Sequence, residues 1–472
     1  MKLATRYTWS IVLGRVLRKI FRKGKKAAPR FELGIKDLQS SALPLGHAAG
    51  EEIDLLSADR IRQGRHYLLF LSNGHGEDLI ALRVLEKLHQ LDPSLFIEIL
   101  PLVGEGKVFE TISGESWVCK INLTKSLPSG GFSNQSFRGL FADIFSGLLV
   151  LAWKQWRYVR WAAGNGRSII AIGDLLPLFF AWSSGANYSF IGTPKSDYTW
   201  ASGPGSSLSD IYHRLKGSEW DPWEYVLMRS SRCKMIAVRD ELTARGLKKH
   251  GVLAYSPGNP MMDGFENMPC PDSLKRFRRL ILLCGSRMPE ALDNFQRLMN
   301  SINTFECSEN LAIFVATGFD PSIDLLESYL EKLGYQLSSA CIEIRAKSSW
   351  VKGSSVVFLG PGCFASWASW GEIGLANAGT ATEQLVGLGV PCISLPGNGP
   401  QFKKGFAVRQ SRLLGGSVVP CKNSGIFTER LKLLLGDRAL RIKMSILGKK
   451  RMRLKGGSSS LANLIFKFML KP

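Results

Sequence analysis

The sequence predicts an α/β protein of two Rossmann-like, doubly wound domains facing each other across a cleft. Three observations predict it. Short apolar runs of strand length alternate with segments of helical period. The runs end in glycine-rich or polar loops. A proline- and glycine-rich break divides the chain into two halves with the same rhythm. A length of 472 residues suits two domains of ordinary size with extensions.

The pattern begins at His66. Tyr67–Ser72 (YLLFLS) reads as a buried strand, Asn73 to Asp78 as a loop, and Leu79–Gln90 as a helix with leucines at 79, 82, 85 and 88. Phe96–Leu100, Ser168–Ile172, Tyr188–Gly192 and Met235–Val238 are further strands, the last followed by a helix from Glu241 to His250. Asn122–Ser136 is rich in Gly, Ser and Pro and reads as a long loop. The break falls at Gly258–Asp272. After it come strands at Arg279–Cys284, Leu311–Ala316, Val356–Leu359, Ile373–Ala376 and Pro391–Leu395, and a last amphipathic helix at Leu461–Met469. The expected organisation is a basic extension (1–65), an N-terminal domain (66–260), a C-terminal domain (261–455) and a C-terminal helix (456–472).

Composition is 45% apolar and 21% charged, which excludes fibrous and wholly disordered classes. The net charge of +22 favours anionic partners. Residues 1–30 hold ten basic groups and no acid, and 438–455 is another basic run. The surplus is therefore largely terminal, and no nucleic-acid-binding module is readable. Trp9–Phe21 reads as an Arg-rich amphipathic helix, which suits an organelle transit peptide, a membrane-surface helix or an untargeted extension. No segment is apolar enough to span a membrane; Leu140–Ala152 comes nearest and contains Asp143. The nine cysteines are scattered without a C-x-x-C, as expected of buried free thiols in a reducing compartment. Neither they nor the six histidines show metal-ligand spacing.

Open α/β sheets bind ligands at the carboxyl ends of their strands, so the candidate chemistry follows the strands. In Ser72–Asp78 (SNGHGED), Gly74 and Gly76 permit close approach of a ligand. His75, Glu77 and Asp78 are suited to base work or to holding a sugar; the structural alternative is a turn with Asp78 as helix cap. The loop fits neither a dinucleotide fingerprint nor a Walker A motif. Asp174, after strand SIIAI, is suited to general-base work, with an N-cap as the alternative. Gly285, Ser286 and Arg287 combine backbone N–H groups, a hydroxyl and a guanidinium, the parts of a diphosphate cradle.

The run Asn377 to Gln384 (NAGTATEQ) follows a strand and opens a helix. Gly379 and Thr380 let a diphosphate reach the helix start, and Glu383 is placed to accept from ribose hydroxyls, with Thr382 and Gln384 beside it. A Thr380–Glu383 capping box is the alternative. A second glycine-rich loop, Leu395–Gln401, puts Gln401 near the same cleft. The aromatic stretch Trp153–Trp161 (WKQWRYVRW) suits a lipid-like acceptor or a snorkelling surface helix.

These strings, with PGNPMMD (Pro257–Asp263), LLCGSRMPE (Leu282–Glu290) and IGDLLPLF (Ile172–Phe179), resemble the lipid A disaccharide synthase family. Through NGHGEDLIA, PLVGEG, LPSGGF, TPKSDY, RDELTA and GNPMMDG the chain is most similar to the synthase-related proteins of cyanobacteria and plastid-bearing organisms. The resemblance runs from Leu68 to the C-terminus.

The resemblance implies a GT-B fold and an inverting glycosyltransferase. It would move a sugar, of N-acetylglucosamine type, from a UDP-sugar to a lipid-like acceptor at a membrane surface, without metal or other cofactor. It implies that Ser286 and Arg287 hold the diphosphate, that Gly379, Thr380 and Glu383 hold UDP, and that Asp174 matches the candidate base. It also leads to a plastid location, with a cyanobacterial cytoplasm as the alternative. The chain departs from the family on the acceptor side. His75 lies in the glycine loop, and the family's Asp-x-Pro-Asp-Phe run has become Asp174-Leu-Leu-Pro177-Leu-Phe, without its second acid. A UDP-sugar epimerase or hydrolase on the same fold, and a non-catalytic nucleotide-binding protein at a membrane, are the rival expectations.

Overall fold

The computed structural model describes residues 66–123, 148–203, 208–265, 268–305, 309–318, 320–338, 344–397, 404–453 and 455–471. The basic extension, the segment LPSGGF, most of the Asn122–Ser136 loop and Gln401 lie outside the described residues. The chain divides into two compact units, residues 1–65 with 206–211, and residues 66–205 with 212–472. Both sheets belong to the second. Among the described residues no helix is long and apolar enough to cross a membrane.

The first sheet holds β1 (Tyr67–Ser72), β2 (Phe96–Pro101), β3 (Val118–Lys120), β4 (Ser168–Gly173), β5 (Tyr188–Gly192) and β6 (Cys233–Val238), in the order β3-β2-β1-β4-β5-β6. All its pairings are parallel. This is the doubly wound order, in which the topological switch falls between β1 and β4. Helices α1 (His75–Leu91), α2 (Leu148–Gly164), α3 (Leu175–Ser184) and α4 (Pro222–Met228) lie in its crossovers, and α5 (Glu241–Lys249) follows its last strand.

The pleat explains the uninterrupted apolar run of β1. Leu68 and Phe70 face one core with Ile80, Val84 and Leu85 of α1. Leu69 and Leu71 face the other with Tyr158 and Val159 of α2 and Leu178 of α3. A strand covered on both faces has no polar face to alternate with. Each such side chain removed from water contributes about 1.5–3 kcal/mol.

The second sheet holds β7 (Arg278–Leu283), β8 (Leu311–Thr317), β9 (Gln336–Ser338), β10 (Ser348–Lys352), β11 (Ser355–Pro361), β12 (Ile373–Ala376), β13 (Cys392–Ser394) and β14 (Val418–Pro420). The order is β14-β13-β12-β7-β8-β11-β10-β9. It is parallel except at β11-β10-β9, an antiparallel edge. The switch here falls between β7 and β12. Leu280 and Leu282 of β7 join one core, and Ile281 and Leu283 the other. The helices are α6 (Glu290–Asn303), α7 (Ile323–Lys332), α8 (Thr380–Gly387), α9 (Lys404–Leu413), α10 (Ser424–Gly436) and α11 (Arg438–Met452).

The chain passes between the domains twice. It leaves the first through Gly258–Asp263 and returns after α11 to α12 (Gly457–Ile465), which packs against α1. Leu461, Ala462 and Ile465 thereby complete the first domain's core. The Asp263 carboxylate stitches the two passages together, accepting from Gly456 N at 2.5 Å and Ser458 N at 2.8 Å.

Candidate active site

At the first switch point the loops after β1 and β4 touch. Asn73 Nδ2 donates to Asp174 Oδ1 over 2.7 Å. The approach depends on Gly173, whose φ is +134° and where a β-carbon would lie 2.7 Å from that of Asn73. Asp174 also caps α3, its Oδ1 accepting from Leu176 N at 3.2 Å. Cap and cleft carboxylate are therefore one group. Burial raises its pKa, opposed by the Leu176 N–H and the Lys195 charge.

Gly74, with φ +120°, turns the chain into α1 without any side-chain cap. Gly76 and Glu77 lie in the first turn. Glu77 Oε1 accepts from Thr193 Oγ1, just past β5, at 3.0 Å. Burial pushes its carboxyl up to about 7; its own backbone N–H and Thr193 oppose this, and the Asp174 and Asp78 charges add to it. The Glu77 carboxyl is thus poised near neutrality to hold or release a proton.

Asp78 corrects the expectation from sequence. It is 1% exposed, and it neither caps α1 nor faces the cleft. Its Oδ1 accepts from Ser72 Oγ at 2.5 Å, tying the end of β1 to the helix that follows. Burial raises its pKa to about 6 against that hydrogen bond. His75 opens α1 in the same loop; its side chain lies outside the described residues.

The second switch point brings together the two loops singled out in the C-terminal half. Gly285 (φ +94°) follows β7, Ser286 is exposed and Arg287 half-buried. Burial lowers the Arg287 pKa, countered by the Glu290 charge. After β12, Asn377 is a clamp. Its Nδ2 donates to Asn294 Oδ1 (3.1 Å) and Leu395 O (2.8 Å), and its Oδ1 accepts from Ser394 Oγ (3.2 Å) and Leu395 N (3.0 Å). Both amide hydrogens and both lone pairs are used within the protein, so Asn377 shapes the loop and has nothing left to offer a ligand.

Gly379 precedes α8, whose first N–H groups at Thr380 and beyond have no acceptor within the helix. They and the helix dipole suit an anion. Thr382 is turned away, bonding Ala378 O at 2.7 Å. Gln384 Nε2 reaches Met261 O at 2.9 Å and so anchors the interdomain passage. The capping box does not form: α8 has no side-chain cap, and Glu383 goes elsewhere.

Glu383 pairs across the cleft with Arg239, which directly follows β6. Arg239 Nη2 lies 2.8 Å from Glu383 Oε2, with the two side chains 12% and 16% exposed. Burial works against the guanidinium's charge, and Glu383 more than offsets it. Beside this pair, a β-carbon on Gly76 would lie 3.4 Å from Thr380 Oγ1 and 3.2 Å from Met261 Cε. The glycine loop of one domain thus meets the helix start of the other. Arg409 of α9 makes a second interdomain ion pair, with Glu219.

Sequence reasoning missed Thr193, Lys195 and Arg239. Lys195 Nζ donates to Glu224 Oε2 at 2.5 Å and contributes positive charge near Asp174. The signal that finds all three was at hand, because each lies just past a strand end, in TPKSDY or RDELTA. Among the described residues no group of three or more His, Cys, Asp or Glu side chains is arranged to hold a metal.

No family model matches the chain, and no curated protein matches it. Solved structures do match. A putative UDP-N-acetylglucosamine 2-epimerase from Listeria monocytogenes has a TM-score of 0.53 at 11% identity, over 86% of this chain and 98% of that one. S. aureus MnaA, in a co-structure with UDP, also has a TM-score of 0.53 at 11% identity, over 86% and 97%. MurG from Acinetobacter baumannii has a TM-score of 0.49 at 13% identity, over 85% and 99%. The fold and its paired switch points define a two-domain α/β protein of the GT-B type, similar to these structures over nearly their whole length.

Proposed function

We propose that the chain binds a UDP-sugar between its domains and transfers the sugar, of N-acetylglucosamine type, to a hydroxyl of a lipid-like acceptor. One juxtaposition carries this reading. The open helix start at Gly379–Thr380, suited to a diphosphate, abuts the loop that bears Glu77 and adjoins Asp174. In the transfer, Asp174 or Glu77 takes the proton of the acceptor hydroxyl, and the oxygen attacks the anomeric carbon. The bond to the diphosphate breaks and its electron pair leaves with UDP. The amides of α8 and the Ser286–Arg287 loop stabilise the charge gathering there. Glu383, already paired with Arg239 through Oε2, would hold the ribose through Oε1. The choice of donor follows the strings that resemble the lipid A disaccharide synthase family. We place the protein in a plastid, an assignment that a fluorescent fusion of residues 1–65 tests.

A second reading is a 2-epimerase. It is favoured by two carboxyls, Glu77 and Asp174, close enough for the Asp174 charge to raise the pKa of Glu77, because epimerisation needs a proton taken and a proton returned. UDP release from a panel of UDP-sugars, with and without membrane lipid extract, separates the two. Lipid-dependent release from one sugar that Glu383→Ala abolishes is expected. Epimerised sugar, or release without acceptor, selects the second reading. No turnover and no UDP binding overturns both.

A further inference from the structure

Helix α2 has a face that no core cluster of the described residues covers, and Arg160 at its far end donates from Nη1 to Ser183 O at 3.1 Å. Gln155, Tyr158, Val159 and Ala162 are buried. At 100° per residue, Leu149, Val150, Trp153, Arg157 and Arg160 fall within about a 100° arc on the opposite side. Leu149 is 59%, Val150 54% and Trp153 50% exposed, and both arginines are exposed. The helix carries no acid. Its two arginines lie over its own indoles, Arg157 4.7 Å from the Trp153 ring centroid and Arg160 5.5 Å from that of Trp156. Within this arc, which excludes Lys154, apolar groups and guanidiniums are also sorted along the axis. The apolar residues occupy the first two turns and the guanidiniums begin about 12 Å beyond Leu149.

We infer that this face of α2 docks the protein on the anionic surface of a lipid bilayer, with Leu149, Val150 and Trp153 entering the headgroup–acyl boundary and Arg157 and Arg160 on the phosphates. The axial order matches an interface in which apolar depth lies beneath a layer of negative charge, reached about 5–10 Å down. Indole at the boundary and guanidinium on phosphate are the groups suited to those two layers. A nucleic acid presents the phosphates without the apolar layer. A second copy of the chain, packed two-fold on this face, would set arginines against arginines if the helices ran parallel and against the apolar end if they ran antiparallel. The inference stands apart from the sugar chemistry, since the surface would bind lipid whether or not the cleft turns over a donor; with a lipid-like acceptor it brings enzyme and acceptor together.

The test is flotation of the full chain with vesicles of phosphatidylcholine, with and without phosphatidylglycerol. Wild type is expected to float with the anionic vesicles and at least about ten-fold less with the neutral ones. The double variant Val150→Ser/Trp153→Ser and the single variant Arg157→Glu should each lower partition at least about ten-fold. Ile442→Ser/Ile446→Ser, removing exposed apolar groups from basic α11, should leave it unchanged. Circular dichroism and urea unfolding establish that each variant is folded. The inference fails if the α2 variants float like wild type, if the α11 variant loses as much, or if wild type floats equally with neutral vesicles. Self-association that Trp153→Ser abolishes would assign the face to a second copy instead and overturn it as well.

Discussion

Arg239 and Glu383 stand 144 positions apart in sequence and form an ion pair at 2.8 Å that joins the carboxyl end of the first sheet to the helix start of the second. Neither residue has a strong local reason for its position. Arg239 follows an ordinary buried strand, and Glu383 sits where the sequence allowed either a ribose contact or a capping box. Each is explained by the other, and together they fix how α8 is presented to the cleft.

Because both side chains are largely removed from water, losing one partner leaves a poorly solvated charge. Arg239→Met and Glu383→Gln are each expected to lower stability by about 2–4 kcal/mol. The double variant should cost less than the sum by about 1.5–3 kcal/mol. Urea unfolding of the four proteins measures this. A coupling near zero would make the pair an incidental contact.

Glu77 gives the cleft a pH dependence whose sign is opposite to that of a salt-bridged carboxylate. Its folded-state pKa is raised from 4.5 to about 7. The stability it contributes is therefore fully present below about pH 4.5 and lost as pH rises through about 7. The shift amounts to roughly 3 kcal/mol at full strength, and partial exposure brings it nearer about 2 kcal/mol. Glu77→Gln should match wild type at pH 4 and exceed its stability by about 2 kcal/mol at pH 8, measured by denaturant titration at both. Equal stability at pH 8 would mean that the carboxyl ionises freely in the folded protein.

The strands were legible wherever burial on both faces removed polar residues from them, as in YLLFLS and RLILL. Val118–Lys120, Gln336–Ser338 and Val418–Pro420 were not: three residues are too few to register a period, and each pairs on one side only at a sheet edge. The site was legible as loops and illegible as partnerships. Glycines after strands pointed to Gly74, Gly285 and Gly379. That Glu77 meets Thr193, 116 residues on, depends on β1 and β5 flanking β4, which no local pattern encodes. The misplacement of Asp78 has the same origin. In SNGHGED two adjacent acids look equivalent, and only the helix decides that Glu77 faces the cleft while Asp78 turns back to Ser72.

Asn377 tests the distinction between contacting a ligand and shaping its loop. Asn377→Ala removes four hydrogen bonds and leaves buried Leu395 and Asn294 groups without partners. It is expected to cost about 2–4 kcal/mol. Asn377→Asp keeps the acceptor but loses the donor to Leu395 O and Asn294, so it should recover little. Thermal unfolding measures both. A change in UDP affinity at unchanged stability would instead make the side chain a ligand contact.

Where the chain passes between domains, Gly456 and Gly457 separate two kinds of glycine requirement. Gly456 has φ +99° with open space around it, so Ala there meets only backbone strain, about 1 kcal/mol. Gly457 opens α12 with a φ outside the left-handed region, and by helix propensity alone Ala would be favoured. Yet a β-carbon there would lie 2.5 Å from Asn259 C, 2.6 Å from Pro260 N and 2.7 Å from Asn259 N. These are backbone atoms of the other interdomain passage and cannot rotate aside. Gly457→Ala should therefore cost about 2–3 kcal/mol or more and loosen α12 from α1, seen as faster amide exchange in Leu461–Ile465. If Gly457→Ala proves milder than Gly456→Ala, the two passages are not in the close contact that holds the domains in register.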